Sequence, residues 1–142
     1  MNRKTLKIAT LGVIITLSAI LLYYTQTQPL NMEIGYGDIT IEQAKSLIES
    51  KPSLIILDVR TQEEYDSDHI EGAILIPVDE LENRLDELSK NDELLVYCRT
   101  GNRSTNAVNI LQANGFTKIF HMKDGITGWI QAESQITTMS FS

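Results

Sequence analysis

The sequence predicts an α/β fold, with a mostly parallel central sheet and helices on both of its faces. Short apolar runs rich in β-branched residues alternate along the chain with amphipathic stretches of helical period. The predicted strands are residues 53–59, 73–77, 93–97 and 117–121, and the predicted helices are residues 41–50, 78–89 and 104–114. Strands and helices that alternate in this way form right-handed crossover units, which place successive strands parallel. We expect one N-terminal transmembrane helix before this domain.

The amino-terminal segment has the composition of a membrane helix. Residues 8–24 contain no charged side chain, and the flank at residues 1–7 carries three basic and no acidic side chains. Crossing the hydrocarbon core takes about 20 apolar residues, with about 17 as the lower limit. The run ends at Tyr23 and Tyr24 without the small residues of a signal-peptidase site, which favours an uncleaved anchor. A cleaved signal and a buried core helix are the alternatives.

The basic flank also predicts the orientation of the chain. Positive charge before the apolar run keeps the amino terminus in the cytoplasm, so a single-pass anchor would place the domain outside the cytoplasm. If the segment were cleaved, the domain would instead be exported. The predicted parts after the anchor are a tether at residues 25–36, a globular domain at residues 37–133 and a C-terminal tail at residues 134–142.

Each predicted helix of the domain carries an apolar face. Ser104 is expected to cap the amino terminus of the last of these helices, and Gly115 is expected to end it. The predicted buried faces comprise Ala44, Leu47 and Ile48 in the first helix, Leu81, Leu85 and Leu88 in the second, and Ala107, Val108, Ile110 and Leu111 in the third.

Charge and cysteine content exclude several kinds of protein. The net charge is −7 although residues 1–30 are basic, so residues 31–142 are strongly acidic and nucleic acid is not expected as a partner. Cys98 is the one cysteine, which rules out an internal disulfide. With two histidines and no closely spaced His/Cys cluster, the sequence predicts no metal site and implies no cofactor.

Cys98 directly follows a predicted strand and precedes a predicted helix, where open parallel sheets bind ligands. The loop also supplies Arg99 and Arg103 and a glycine for a tight turn at Gly101. Loop amides, a helix amino terminus and cations would all lower a thiol pKa and hold an anion. Most isolated cysteines after apolar strands are inert core residues, but a core site does not call for two arginines. We therefore interpret Cys98 as a nucleophile.

The loop with the sequence CRTGNRS, residues 98–104, resembles the active-site loop of the rhodanese-like family of single-domain sulfurtransferases. A first family signature is similar to residues 57–60, 64–65 and 69–74, and a closing one to residues 115–129. Three spaced motifs in the expected order make a specific match. Two positions depart from the family pattern, Glu71 in place of a frequent proline and Asp124 in place of a frequent glycine.

The resemblance implies a double displacement through a persulfide on Cys98. A small anionic donor such as thiosulfate would supply a sulfane sulfur, and a thiol, a cyanide-like nucleophile or a protein would accept it. It further implies that the rest of the loop binds substrate, with Arg103 and Arg99 holding the anionic donor and departing sulfite. The implied substrate-binding residues are Arg99, Thr100, Gly101, Asn102, Arg103 and Ser104.

Asp58 and Arg60 end a neighbouring predicted strand and are candidates for supporting the loop. Their alternative is a purely structural ion pair. Two other readings of the loop stay open. A catalytically idle member of the family would serve as a binding or redox-sensing module. A cysteine phosphatase or arsenate reductase would need five residues between cysteine and arginine, whereas Cys98 and Arg103 enclose four, so this reading is disfavoured.

Overall fold

The structure, a computed structural model, describes residues 34–139 together with Ser18 and Ile20, and side chains up to residue 133 in the last helix. Apart from Ser18 and Ile20, the predicted anchor at residues 8–24 lies outside these described residues, as does most of the predicted tether. Within the described part, no helix is both long and apolar enough to cross a bilayer. The chain divides into two units, Met1–Glu33 and Ile34–Ser142, and the second contains the fold described below.

The second unit is built on five parallel strands in the order β1-β5-β4-β2-β3. Helices connect the strands, as the α/β prediction requires. The strands are β1 (Gly37–Ile39), β2 (Ile55–Asp58), β3 (Ile74–Leu75), β4 (Leu94–Tyr97) and β5 (Ile119–Met122). The helices are α1 (Ile41–Ser50), α2 (Gln62–Ser67), α3 (Val78–Leu81), α4 (Asn102–Ala113) and α5 (Gly125–Met139), with a 3₁₀ helix at Leu85–Glu87.

Helices cover both faces of the sheet, which confirms the predicted layering. Alternate residues of the central strands point to opposite faces, so Leu95 joins one buried cluster and Val96 the other. Helices α1 and α5 contribute Ala44, Leu47 and Ile126 to the cluster of Leu95. Helices α3 and α4 contribute Leu81, Ala107 and Leu111 to the cluster of Val96.

The carboxyl edge of the sheet collects the polar residues. Asp58 pairs in register with Tyr97, and His121 pairs with Val96 on one side and with Asp38 on the other. Because all strands run parallel, their last residues lie at the same edge. The residue after β4, Cys98, therefore lies between the ends of β2 and β5.

The predicted strands are present, but the helix predicted at residues 78–89 is wrong as a continuous element. The chain forms the four-residue helix α3 and then a separate 3₁₀ turn, with Arg84 at φ −124° between them. Arg84 contacts Glu80 and Glu87 from this break. The heptad spacing of Leu81 and Leu88 matches a single helix, yet both side chains reach the core from two short pieces.

The boundaries of α4 also differ from the prediction at its amino end. The helix begins at Asn102, with Gly101 in the left-handed region (φ 97°) as the residue before it, so Ser104 lies in the first turn and does not cap the helix. A glycine can take this conformation without strain, which lets the helix begin earlier. The carboxyl end is as predicted: Gly115 donates to the Gln112 carbonyl and Phe116 to the Leu111 carbonyl, the pattern of a Schellman motif.

Candidate active site

Cys98 lies at the bottom of a loop whose amides face its sulfur. The side chain is 1% exposed, and the Gly101 amide donates to Sγ at 3.2 Å. Burial opposes the thiolate and raises its pKa, but the Ser104 hydroxyl and the amides of Ser104, Thr100 and Gly101 outweigh burial. The pKa of the Cys98 thiol is lowered as a result. The predicted geometry of an anion cradle is therefore present in this loop.

The first residues of α5 bind the Cys98 loop through two backbone hydrogen bonds. The Ile126 amide donates to the Cys98 carbonyl at 2.9 Å, and the Thr127 amide to the Arg99 carbonyl at 3.2 Å. These bonds satisfy two loop carbonyls with helix amides that would otherwise lack partners. A side chain at Gly125 would collide with the same carbonyls, since its Cβ would lie 2.3 Å from the Arg99 oxygen.

Arg103 forms a two-point ion pair with Glu64. One guanidinium nitrogen lies 2.5 Å from Oε2 of Glu64 and the other 2.8 Å from Oε1. The pair lowers the pKa of Glu64 to about 2, and it raises the pKa of Arg103. This partner could not be predicted from local sequence, because 39 residues separate the two side chains. The donor-binding role of Arg103 stays a prediction, and a donor would have to share Arg103 with Glu64.

Arg99 is more exposed than Arg103. Its side chain is 67% exposed, and its nearest guanidinium nitrogen is 3.9 Å from Glu64 Oε1, a contact that solvent screens strongly. Thr100 and Asn102 are also exposed beside it. An open groove of about 350 Å³ adjoins the loop on this side, and it is lined by Arg60, Glu63, Glu64, Ser67, Asp68, Arg99, Ile126, Thr127 and Ile130.

Asp58 and Arg60 form a buried ion pair, 2.7 Å at the shortest contact. Arg60 also bonds Asp68, through its carboxylate at 2.9 Å and its carbonyl at 2.5 Å. Burial opposes the charge on Arg60, but the bonds to Asp58 and Asp68 raise its pKa overall. These contacts connect the end of β2 with the end of α2. The described contacts fit the structural alternative, while the supporting role at the loop stays a prediction.

His121 and Asp38 enter the site although neither was predicted there. Nδ1 of His121 lies 2.8 Å from Asp38 Oδ1, and Nε2 lies 2.9 Å from the Ser104 hydroxyl. The Ser104 hydroxyl donates to the Gly101 carbonyl at 3.0 Å, and Ser104 is among the groups that lower the pKa of Cys98. Only a weak signal in the sequence points to this contact. His121 lies in the strand next to the one that precedes Cys98, and the direction of its side chain depends on the register of β4 with β5.

Comparisons with known proteins show the family to which this domain belongs. A family model described as Rhodanese-like domain matches residues 40–132. Thiosulfate sulfurtransferase GlpE of Tolumonas auensis is 31% identical over 91 residues, which are 64% of this chain and 85% of that protein. YrkF of Bacillus subtilis (strain 168), a sulfur carrier protein by name, is 40% identical over 92 residues, which are 65% of this chain and 50% of that protein.

Solved structures of rhodanese-like proteins are also similar to this domain. A rhodanese-like domain protein from Staphylococcus aureus superposes with a TM-score of 0.61 at 33% identity, over 65% of this chain and 89% of that one. The human single-domain sulfurtransferase TSTD1 superposes with a TM-score of 0.64 at 26% identity, over 68% of this chain and 97% of that one.

Proposed function

We propose that this chain, which belongs to the rhodanese-like domain family, is a rhodanese-type sulfurtransferase that carries a sulfane sulfur as a persulfide on Cys98. The observation that carries the proposal is the set of amides and the hydroxyl that face the Cys98 sulfur and lower its pKa. A thiolate is the reactive form of cysteine, and the same donors would stabilise the terminal sulfur anion of a persulfide.

In the first half-reaction the Cys98 thiolate attacks the outer sulfur of thiosulfate. A sulfur–sulfur bond forms to Cys98 as the bond inside thiosulfate breaks, and sulfite leaves with the electron pair. The loop amides keep the attacking sulfur anionic without a metal or an external base. Because Cys98 is 1% exposed, the donor must enter with its outer sulfur first.

The two arginines have different roles in this proposal. Arg99 is exposed at the mouth of the loop, so its charge is available to the anionic end of the donor and to departing sulfite. Arg103 is already neutralised by Glu64, so it mainly fixes the first turn of α4 against α2. The substitution Arg99→Ala is therefore expected to raise KM for thiosulfate more than Arg103→Ala does.

In the second half-reaction a nucleophile takes the outer sulfur of the persulfide and regenerates the Cys98 thiolate. The open groove beside Arg99 is the approach for an acceptor that is larger than cyanide, such as a thiol or a thiol on a protein. Thiosulfate sulfurtransferase GlpE and the sulfur carrier YrkF, relatives by sequence, support sulfur donors and acceptors of this class.

We further propose that the domain works outside the cytoplasm, anchored to the membrane by residues 8–24. The support is the uncharged run behind a basic flank and the lack of small residues at its end.

The test of the proposed function is intact-mass measurement of the full-length chain after treatment with thiosulfate. The expected product carries one added sulfur atom that a thiol reductant removes, and Cys98→Ser should gain none. Cyanide should convert the loaded protein to the unloaded one and form thiocyanate. A chain that never accepts sulfur from any sulfane donor, yet still binds a partner after Cys98→Ala, would support the binding-module alternative instead.

A further inference from the structure

The groove beside Arg99 carries more acidic than basic side chains. The charged residues of its lining are Glu63, Glu64, Asp68, Arg60 and Arg99. Arg60 is 3% exposed and its guanidinium is bound to Asp58 and Asp68, so its charge is already compensated. Among these described residues, Arg99 is the cation whose charge is left for a ligand, with its side chain 67% exposed. The groove therefore offers little net positive charge to an anionic sulfur donor.

Glu64 contacts both arginines of the Cys98 loop. Its two carboxylate oxygens bond the two terminal nitrogens of Arg103 at 2.5 and 2.8 Å, and Oε1 lies 3.9 Å from Nη1 of Arg99. The two-point pair occupies the edge of the guanidinium with which an arginine binds the oxygens of an oxyanion. One carboxylate thus compensates the charge of Arg103 and part of the charge of Arg99.

The carboxylate of Glu64 is fixed by the start of α2. Oε2 accepts from the Thr61 amide at 3.2 Å and from the Thr61 hydroxyl at 3.3 Å, while the Glu64 amide donates to that hydroxyl. The bonds from Arg103 lower the pKa of Glu64 to about 2, so the group is ionised at neutral pH. Its negative charge is therefore a permanent feature of the groove, and the sign of its effect on an anion is determined.

We propose that Glu64 is a specificity-determining residue for the sulfur donor: its carboxylate compensates the charge of Arg103 and Arg99, and it thereby favours a sulfane donor with one negative charge over the thiosulfate dianion. This inference deepens the sulfurtransferase function proposed above and rests on it. The donors that fit the groove best are organic thiosulfonates and organic persulfides.

Thiosulfate and methanethiosulfonate make a matched pair of donors. A methyl group in methanethiosulfonate replaces one oxygen of thiosulfate, so the two ions are similar in size and differ by one negative charge. With either donor the Cys98 thiolate attacks the outer sulfur, a sulfur–sulfur bond forms to Cys98, and the bond inside the donor breaks. The electron pair leaves with sulfite in one case and with methanesulfinate in the other, so atoms and charge balance in both.

The test is kcat/KM for each donor in the full-length chain, with cyanide as the acceptor and thiocyanate as the product. In a double displacement this constant reports the loading of Cys98, and an unfolded fraction lowers it equally for both donors. Glu64→Gln is expected to raise the ratio of thiosulfate to methanethiosulfonate about fivefold, the effect of one charge–charge repulsion at about 4 Å in water. Glutamine also completes a capping box, so α2 keeps its first turn.

Glu93→Gln is the matched control. The Glu93 side chain is also 21% exposed and also forms an ion pair, with Lys51 at 2.7 Å. Glu93 directly precedes β4, whereas Cys98 directly follows it, so the two residues lie at opposite edges of the sheet. The donor ratio of Glu93→Gln should equal that of the wild-type chain.

Two measurements separate charge from shape at Glu64. Glu64→Asp keeps the charge, so its donor ratio should lie nearer the wild-type value than the ratio of Glu64→Gln does. Added salt shortens the Debye length to about 3 Å at 1 M, so the difference between Glu64→Gln and the wild-type chain should shrink with salt. A change of shape alone would persist in salt.

An unchanged donor ratio in Glu64→Gln, or equal ratios for the Gln and Asp variants, would overturn the inference while both donors still load Cys98. Should Glu64→Gln fail to fold, Arg99→Gln takes its place, since Arg99 is largely exposed. Arg99→Gln should lower the ratio about fivefold, and an unchanged ratio would then refute the inference. A wild-type chain that accepts sulfur from neither donor would instead refute the sulfurtransferase function itself, and the inference with it.

Discussion

Gly101 is required at the turn into α4 for two separate reasons. Its φ of 97° lies in the left-handed region, and a Cβ at this position would lie 2.2 Å from the Lys123 carbonyl oxygen. The first reason is strain within the residue, and the second is a collision with another segment. Together they explain how the Gly101 amide comes within hydrogen-bonding distance of the Cys98 sulfur.

We predict that Gly101→Ala abolishes sulfur loading of Cys98, because the turn must open to relieve the collision. Gly72→Ala is the matched control, since Gly72 also has a positive φ of 80° but has nothing within 4 Å of its would-be Cβ. That control should lose only about 1–2 kcal/mol of unfolding free energy and keep its loading. Intact-mass measurement and urea unfolding check both; equal behaviour of the two variants would mean that the Lys123 contact is unimportant.

The buried pair of Asp58 and Arg60 gives a second prediction at this scale. Arg60→Ala leaves the carboxylate of Asp58 buried without its cation and should lower the free energy of unfolding by about 3–5 kcal/mol. Arg84→Ala also removes two ion pairs, with Glu80 and Glu87, but at the surface, and should cost about 1 kcal/mol or less. Denaturant titration distinguishes them, and similar losses would contradict a special role for burial.

Helix α2 is stabilised by the same carboxylate that connects it to α4. Glu64 completes a capping box with Thr61 at the start of α2 and also bonds Arg103 in the first turn of α4. Two helices that pack in different places along the sheet thus share one side chain. The ion pair thereby joins the first turn of α4, which follows the Cys98 loop, to the first turn of α2.

This sharing predicts a dependence of stability on acid. Glu64 has its pKa lowered from 4.5 to about 2, chiefly by the bonds from Arg103, so the folded state favours the ionised form. Its contribution is complete above about pH 4.5 and disappears as the pH falls through about 2. Compared with the wild-type chain, Glu64→Gln should be less stable at neutral pH, and the difference should shrink between these two values.

The control for the acid prediction is Glu63→Gln. Glu63 lines the same groove, and among the described residues it takes part in no ion pair. Its difference from the wild-type chain should stay constant across this pH range when unfolding free energies are measured by chemical denaturation. A constant difference for Glu64→Gln as well would show that its ion pair does not stabilise the fold.

At the scale of the whole molecule, the candidate site lies at the carboxyl edge of the parallel sheet. The site gathers residues from β1, β4, β5 and α4, with α2 and α5 holding the loop on its two sides. The proposed membrane attachment would set which donors and acceptors reach the site.

The prediction at this scale is that a reporter fused after Ser142 lies outside the cytoplasm and that the protein stays with membranes after a carbonate wash. The physical reason is the basic flank before an uncharged run of sufficient length. Cytoplasmic reporter activity would contradict the orientation. A soluble product that begins near residue 26 would identify the segment as a cleaved signal.

The sequence alone determined the α/β class with a parallel sheet, four of the five strands and the loop of Cys98, whereas strand β1 and helix α2 were not predicted. Each of the predicted features depends on residues that are neighbours in the sequence, through apolar periodicity or through a strand–loop–helix segment of suitable composition. The break in the helix predicted at residues 78–89 was not visible, because both leucine positions fit one helix as well as two pieces.

Only the tertiary structure decided the partners of the loop. Glu64 meets Arg103 across 39 residues, His121 meets Ser104 across 17, and Asp38 meets His121 across 83. Such pairs depend on the register of the strands and on which helix packs beside which, and a shift of one residue would turn each strand side chain to the other face. Local sequence determines the nucleophile and the loop groups that lower its pKa, but long-range packing determines the partners of Arg103 and Ser104.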